Sequence, residues 1–363
     1  MSTAVRAEPV SRPIVGMGAV AATGSDLDEL FESLCLDGGG RPEVRAFDPS
    51  RSRARYASPV DGRPVPGADL AGRATRLLLD AVGQAAADAG LGEDLSGVPV
   101  LVGTGVREPR PLELWWRDGS PFADSGLDFG TALRERFGVE VTHTFSNACS
   151  ASLYALALAF DLLGQEGDDA LDTVIVAGVD VASGSLPDSP LERTRPFGAD
   201  DRCVSPGDGA AAIVLRRADC PAARVHGRLR GVAFDCDDHG PTALSADQIA
   251  AVMRTAHRLA GVKASDVDLV MLDGRGPSET TTAEAFALAT VLGDAASAPL
   301  MTAVESTTGQ PSGASGLLGL IVGIRALNQG RARDGQRLNL AQLNAFGLGG
   351  INAVAIVEGT ERS

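Results

Sequence analysis

The sequence has little that would suit it to nucleic acid, a membrane or a metal. Basic residues are outnumbered, with 32 Lys plus Arg against 47 Asp plus Glu and a formal charge of −15. Such an acidic chain is excluded as a general binder of phosphate backbones, which need a basic face. Aromatics make up 4 % of residues, with two Trp and two Tyr, too few for a single-strand stacking platform. No apolar run reaches the roughly 18–20 residues that span a bilayer, and residues 1–13 lack the apolar segment of a secretory signal. The five cysteines, Cys35, Cys149, Cys203, Cys220 and Cys236, are scattered and include no CxxC pair. That argues against a zinc knuckle or disulfide framework and for a reduced, cytoplasmic chain. No glycine-rich loop with Lys-Ser/Thr, no His/Glu pair at helical spacing and no GxGxxG after a strand is found, so no nucleotide or metal site is expected.

What is present is a chain of 363 residues, 44 % apolar and with 44 glycines, long enough for one or two filled cores. A tail at 1–11 precedes a strand at 13–18 and a helix at 26–36. Residues 37–70, rich in Pro, Gly and Arg, read as loop. A helix over 73–90, a strand at 98–103, a polar irregular stretch and a strand at 139–147 follow. That strand leads into a helix over 148–163, with Leu153, Leu156, Phe160 and Leu163 on one face. Strands at 173–179 and 210–215 complete the first half. The second half echoes it. Ser245 and Gln248 can cap a helix to 260 with Ile249, Val252, Met253 and Ala256 inward. A strand (268–272), helix (283–292), strand (300–304), Ala/Gly/Leu helix (312–327) and last strand (351–357) follow. Strands alternating with helices in both parts predict two similar α/β halves, 12–220 and 221–360, divided in the polar segment 216–228.

Three segments carry chemistry. Asn147-Ala148-Cys149-Ser150-Ala151-Ser152 places a cysteine at a strand-to-helix turn, among unpaired N–H groups at the positive end of a helix, where a thiolate nucleophile is favoured. A small buried apolar residue is the alternative use of a cysteine there. Asn344-Ala345-Phe346-Gly347-Leu348-Gly349-Gly350-Ile351-Asn352 allows close backbone approach, as an oxyanion hole requires, or is simply a tight loop. Glu305-Ser306-Thr307-Thr308-Gly309-Gln310 precedes the small-residue helix at 312–327.

In this order the segments resemble the β-ketoacyl synthase family, on the thiolase-like fold, across nearly the whole chain from Arg12 to Glu358. Cys149 matches the acyl-accepting cysteine. Arg195-Pro196-Phe197 with Gly207-Asp208-Gly209-Ala210 resembles a second motif, and the loop from Phe346 to Asn352 a third. The resemblance implies a layered αβαβα core of two similar halves and an oxyanion hole from the N–H groups of Cys149 and Leu348. It also implies a pocket bordered by Val106, Val204, Glu305, Phe346 and Leu348. The substrate would arrive on the phosphopantetheine arm of an acyl carrier protein, with no other cofactor, and Arg73 and Arg76 would dock that carrier. The protein would be a homodimer or a heterodimer with a ketosynthase.

The departures from the family pattern are specific. The first catalytic histidine corresponds to Asp273, the lysine to Glu305 and the second histidine to Gln310; the lysine's glutamate falls at Gly319. The chain is also shorter between Val106 and Cys149 and between Val179 and Arg195. In relatives, two neutral histidines donate to the enolate formed as CO₂ leaves. A carboxylate about 4 Å from that enolate costs about 4 kcal/mol at an effective dielectric near 20, roughly a thousandfold in rate. Anions near Cys149 also oppose its thiolate. The four histidines fall elsewhere. His143 lies on the strand before Cys149, His226 in a polar surface segment and His257 on an exposed helix face. His239 is a candidate substitute base near the pocket mouth. Two functions fit: a non-condensing partner subunit, like a chain-length factor of polyketide systems, or an acyltransferase, thioesterase or cyclase that forms an acyl-enzyme on Cys149 without decarboxylation.

Overall fold

A computed structural model describes residues 10–22, 24–35, 72–167, 169–181, 207–238, 244–274, 279–293, 299–330, 337–347 and 349–360. The first half contains β1 (Arg12–Ala21), α1 (Leu27–Cys35), α2 (Arg73–Asp88), β2 (Val100–Thr104), α3 (Arg110–Asp118), α4 (Gly130–Phe137), β3 (Thr142–Ser146), α5 (Ala151–Leu162), β4 (Thr173–Asp180) and β5 (Gly209–Arg216). The second contains β6 (Gly227–Cys236), α6 (Ala246–Ala260), β7 (Leu269–Met271), α7 (Glu279–Leu292), β8 (Leu300–Thr302), α8 (Glu305–Thr308), α9 (Ser312–Gln329), β9 (Leu340–Gly347) and β10 (Ile351–Gly359). Among the described residues no helix is long and apolar enough to cross a membrane.

The ten strands of the described residues are ordered β3-β2-β4-β5-β1-β6-β10-β9-β7-β8. Read outward from the β1–β6 junction, each half runs first, fifth, fourth, second, third strand. The senses agree as well: β2 is parallel to β3 and β4, as β7 is to β8 and β9. The remaining pairs within each half are antiparallel. The fold is therefore an internal duplication, joined where Arg12, Pro13 and Ile14 pair with Leu229, Arg228 and Gly227.

Alternation along each strand builds the layers, because neighbouring side chains point to opposite faces. In β4, Val174 and Val176 face a central cluster with Leu153 and Leu156 of α5 and Leu317 and Leu320 of α9. Ile175, Ala177 and Val179 face α2 through Leu77, Leu78 and Ala81. In the second half Ala353 and Ala355 point to the central cluster, while Val354 and Ile356 meet α6 and α7. The result is the thiolase-like αβαβα sandwich, with α5 and α9 in the middle layer.

Glycines set how deeply the middle helices seat. A Cβ on Gly103 would stand 2.3 Å from the Ser152 nitrogen, and one on Gly313 would stand 2.3 Å from the Thr104 Cα. Both helix starts rest directly on strand backbone.

Several elements differ from expectation. The polar stretch after β2 holds α3 and α4, and β6 and β9 were not anticipated. β9 escapes a hydrophobicity reading because Gln342 and Asn344 alternate with its apolar residues, yet all three of Gln342, Asn344 and Phe346 are buried. The loop expected at 37–70 lies outside the described residues. His226 is buried rather than on the surface, since its Nε2 meets Asp88 Oδ2 at 2.6 Å. His257 is also buried, on Gln342. His143 does lie on β3, and is exposed.

Candidate active site

The starts of the two central helices meet. Cys149 stands two positions before Ala151, the first residue of α5, and Gln310 two positions before Ser312, the first of α9. The duplication makes these equivalent places. Gln310 Nε2 donates to Cys149 Sγ at 3.3 Å. A sulfur held there lies near the positive ends of both helices, where a negative charge is stabilised.

Cys149 is buried in a single 3₁₀ turn, Ala148–Ser150. The chain reverses from β3 into α5 within a few residues, and Ala148 takes φ of +60° to do so. A residue with a Cβ costs about 1 kcal/mol in that left-handed region. That strain falls directly beside Cys149. Gln310 is positioned from the other side: Gly207 N–H donates to its carbonyl at 3.2 Å. A Cβ on Gly207 would come within 2.5 Å of the Thr308 oxygen, so glycine lets the two segments touch.

Asp273 follows β7 and is buried. Its Oδ1 accepts the Phe346 N–H at 2.9 Å. The next residue in β9, Gly347, packs against the Cys149 turn, with its Cβ position 3.1 Å from Ser150 Oγ and 3.3 Å from the Asn147 oxygen. Glu305, also buried, brings Oε2 within 2.8 Å of the Cβ position of Gly274, directly beside Asp273. The structure thus gathers Cys149, Gln310, Asp273 and Glu305 around the ends of β3, β7 and β9.

A buried hydrogen-bond chain supports this wall. Glu284 Oε1 accepts the Asp273 N–H at 3.1 Å and Asn344 Nδ2 at 2.8 Å. Asn344 Oδ1 accepts Gln342 Nε2 at 2.8 Å, and Gln342 Oε1 stands 2.7 Å from His257 Nε2. Gln342 spends its amide hydrogen on Asn344, so the imidazole is the donor at that end. Breaking such a chain strands buried polar groups at about 1–3 kcal/mol each. Sequence reasoning missed Glu284, Gln342, Asn344 and His257. The available signal was period-two polarity inside an otherwise apolar strand and a lone glutamate within Ala283-Glu284-Ala285.

The other expected site residues separate. Phe346 contributes its N–H to the site, and its fully buried side chain belongs to the outer cluster with Ala303 and Val354. Val106 is 40 % exposed on the loop after β2. Arg73 turns inward to an ion pair with the fully buried Asp208 carboxylate, because helix α2 presents that position to the start of β5. Arg76 is exposed. Leu348, Val204, His239 and the stretch from Arg195 to Phe197 lie outside the described residues.

Models of two domains match the chain: the beta-ketoacyl synthase N-terminal domain over residues 9–220 and the C-terminal domain over 226–334. The chain belongs to the β-ketoacyl synthase family. This β-ketoacyl synthase chain is similar to the putative polyketide beta-ketoacyl synthase 1 of Streptomyces halstedii, 27 % identical over 362 residues, covering 86 % of this chain and 85 % of the relative. Its fold is that of the ishigamide ketosynthase/chain length factor, with a TM-score of 0.79, 23 % identity and coverage of 97 % and 100 % of the two chains. A type II polyketide synthase acyl-carrier protein in complex with its ketosynthase gives a TM-score of 0.81 at 18 % identity, over 97 % of this chain and all, 100 %, of the matched one.

Proposed function

We propose that this chain is a ketosynthase-fold subunit of a polyketide assembly that does not itself decarboxylate and condense, and that pairs with a second ketosynthase-fold subunit. The observation that carries the reading is Asp273. By the motif resemblance this buried carboxylate falls at the position of an imidazole donor in condensing relatives, and its Oδ1 accepts a backbone N–H. Such a group opposes the negative charge that grows on the thioester oxygen as CO₂ departs. Gln310, at the second imidazole position, retains a donor and directs it at sulfur.

Pairing is supported by the first half. Among the described residues β3 ends the sheet with no further strand beyond it, and such an edge invites another strand. Helix α3 exposes Leu112, Trp115 and Trp116, the last at 86 %. Exposed paired tryptophans are costly in water and typical of interface centres. The ketosynthase/chain length factor among the structural neighbours is a fitting model of the partner. Carrier-bound thioesters are the fitting substrates, with Arg76 as the docking contact.

A second reading is favoured by the Gln310–Cys149 contact: the thiol is held by a donor that stabilises its anion, as in formation of an acyl-enzyme without decarboxylation. Intact-protein mass spectrometry with acyl-carrier thioesters distinguishes the two. A mass gain present in wild type and absent in Cys149→Ala supports the acyl-enzyme. No gain, with co-purification and restored turnover of a second ketosynthase, supports the partner subunit. Carbon dioxide release and chain extension from malonyl thioesters by the purified chain alone would overturn both.

A further inference from the structure

A carboxylate outside the Cys149 group ties together the segments that form it. Asp180 ends β4 and is buried. Its Oδ1 accepts Thr104 Oγ1 at 2.9 Å and the Val106 N–H at 3.4 Å; its Oδ2 accepts the N–H groups of Gly105 at 2.7 Å and Gly313 at 2.6 Å. These donors come from the end of β2, the loop that leaves it and the first turn of α9. All are neutral, and no described side chain forms an ion pair with this carboxylate. Gly313 lies at the start of α9, where N–H groups have no partner within the helix. The fit is close: a Cβ on Gly105 would stand 2.9 Å from Asp180 Oδ2, and one on Gly178 would stand 2.4 Å from the Gly313 oxygen.

Gly313 is three residues beyond Gln310, with Pro311 stiffening the link. The loop on the other side of Asp180 carries Val106.

We propose that Asp180 is a positioning residue: by clamping the first turn of α9 to the end of β2, it sets the Gln310 amide on the Cys149 sulfur. The inference rests on Cys149 being the reacting thiol, the premise of the functional reading. It does not depend on whether an acyl group is transferred. Burial pushes the Asp180 carboxyl up to about 6, against the pull of the Gly313, Gly105 and Val106 N–H groups and the Thr104 hydroxyl. A proton there removes an acceptor site from a clamp that uses both oxygens.

The test is alkylation of Cys149 by iodoacetamide, read by peptide mass mapping of the full chain across roughly pH 5–9. Loss of an N–H donor to the sulfur raises the thiol's pKa by about one unit, a tenfold slower reaction at neutral pH. Gln310→Ala is expected to show that loss, Asp180→Asn a loss of similar size, and the double variant no more than the larger single one. In wild type the rate also falls through about pH 6, a limb expected to vanish in Asp180→Asn. A wild-type rate in Asp180→Asn overturns the proposal. So do additive losses in the double variant, which mark a general structural effect. Should Asp180→Asn fail to fold, Thr104→Val removes one clamp donor. A slowing that disappears in the Gln310→Ala background supports the assignment, and an unchanged rate overturns it. The reagent carries no acyl group, so failure of either functional reading leaves this outcome readable.

Discussion

Replacing Gly103 with alanine tests how the helix that follows Cys149 is seated. The new Cβ would lie 2.3 Å from the Ser152 nitrogen, 2.5 Å from its Cα and 2.6 Å from the Ala151 carbonyl carbon. All three atoms are backbone, so no side chain can swing aside. Ordinary contact begins at 3.4 Å, and α5 must retreat by the difference, about 1 Å. Overpacking that flexible side chains can absorb costs about 1–3 kcal/mol; a rigid helix start places this substitution at the top of that range. About 3 kcal/mol lowers the folded-to-unfolded ratio by roughly a hundredfold. Gly83→Ala is the matched comparison. Gly83 lies inside α2, and its Cβ would meet the Phe137 ring at 3.5 Å, an ordinary contact. Alanine there gains about 0.5–1 kcal/mol of helix propensity. Urea unfolding should show the midpoint falling for Gly103→Ala and rising for Gly83→Ala, with the slope unchanged. A Gly103→Ala midpoint equal to wild type would show that α5 does not rest on β2 as described, and with it the placement of Cys149 would fail.

Two further expectations concern charge. Arg73→Ala removes a charge partner from the fully buried Asp208 and should cost about 3 kcal/mol of stability. Arg76→Ala, at an exposed position, should leave unfolding unchanged and weaken carrier association at low salt; equal stability losses in the two variants would refute this division of roles. Burial holds the His257 imidazole below its usual pKa, against the pull of Gln342 and Asp266. The unfolded chain therefore takes the proton first, and the stability His257 contributes is lost as pH falls below about 6.5. His257→Gln keeps an N–H donor for Gln342 without titrating, so denaturation midpoints between pH 7 and 5 should decline less in that variant. A decline of the same size would assign the loss to other groups.

The halves of the fold were readable because their central strands and helices are apolar runs between glycine-rich turns. The placement of Cys149 in a turn between β3 and α5 was readable because a strand, a run of small residues and a helix adjoin in sequence. The supporting wall was not. Glu284 and Asn344 are 60 positions apart, and nothing local marks either as the partner of the other. His257 looked solvent-facing because its helix is polar around it, whereas tertiary packing closes β9 over that face. Arg73 looked like a surface cation for the same reason: a helix pattern gives the direction of a side chain but not what later strand arrives beneath it. Asp180 fell just past the strand expected at 173–179 and drew no notice, because its role arises only from segments that converge on it from β2 and α9.

The junction strand β6 has a consequence for the chain's topology. Arg12 pairs with Leu229 on one side of it, and Gly359 pairs with Gly227 on the other. The beginning and end of the sheet are thus separated by little more than two strand spacings, about 10 Å. A short peptide could join them and the chain be reopened between the halves, giving a circular permutant in which the glutamine-bearing half is synthesised before the cysteine-bearing one, with every strand pairing retained.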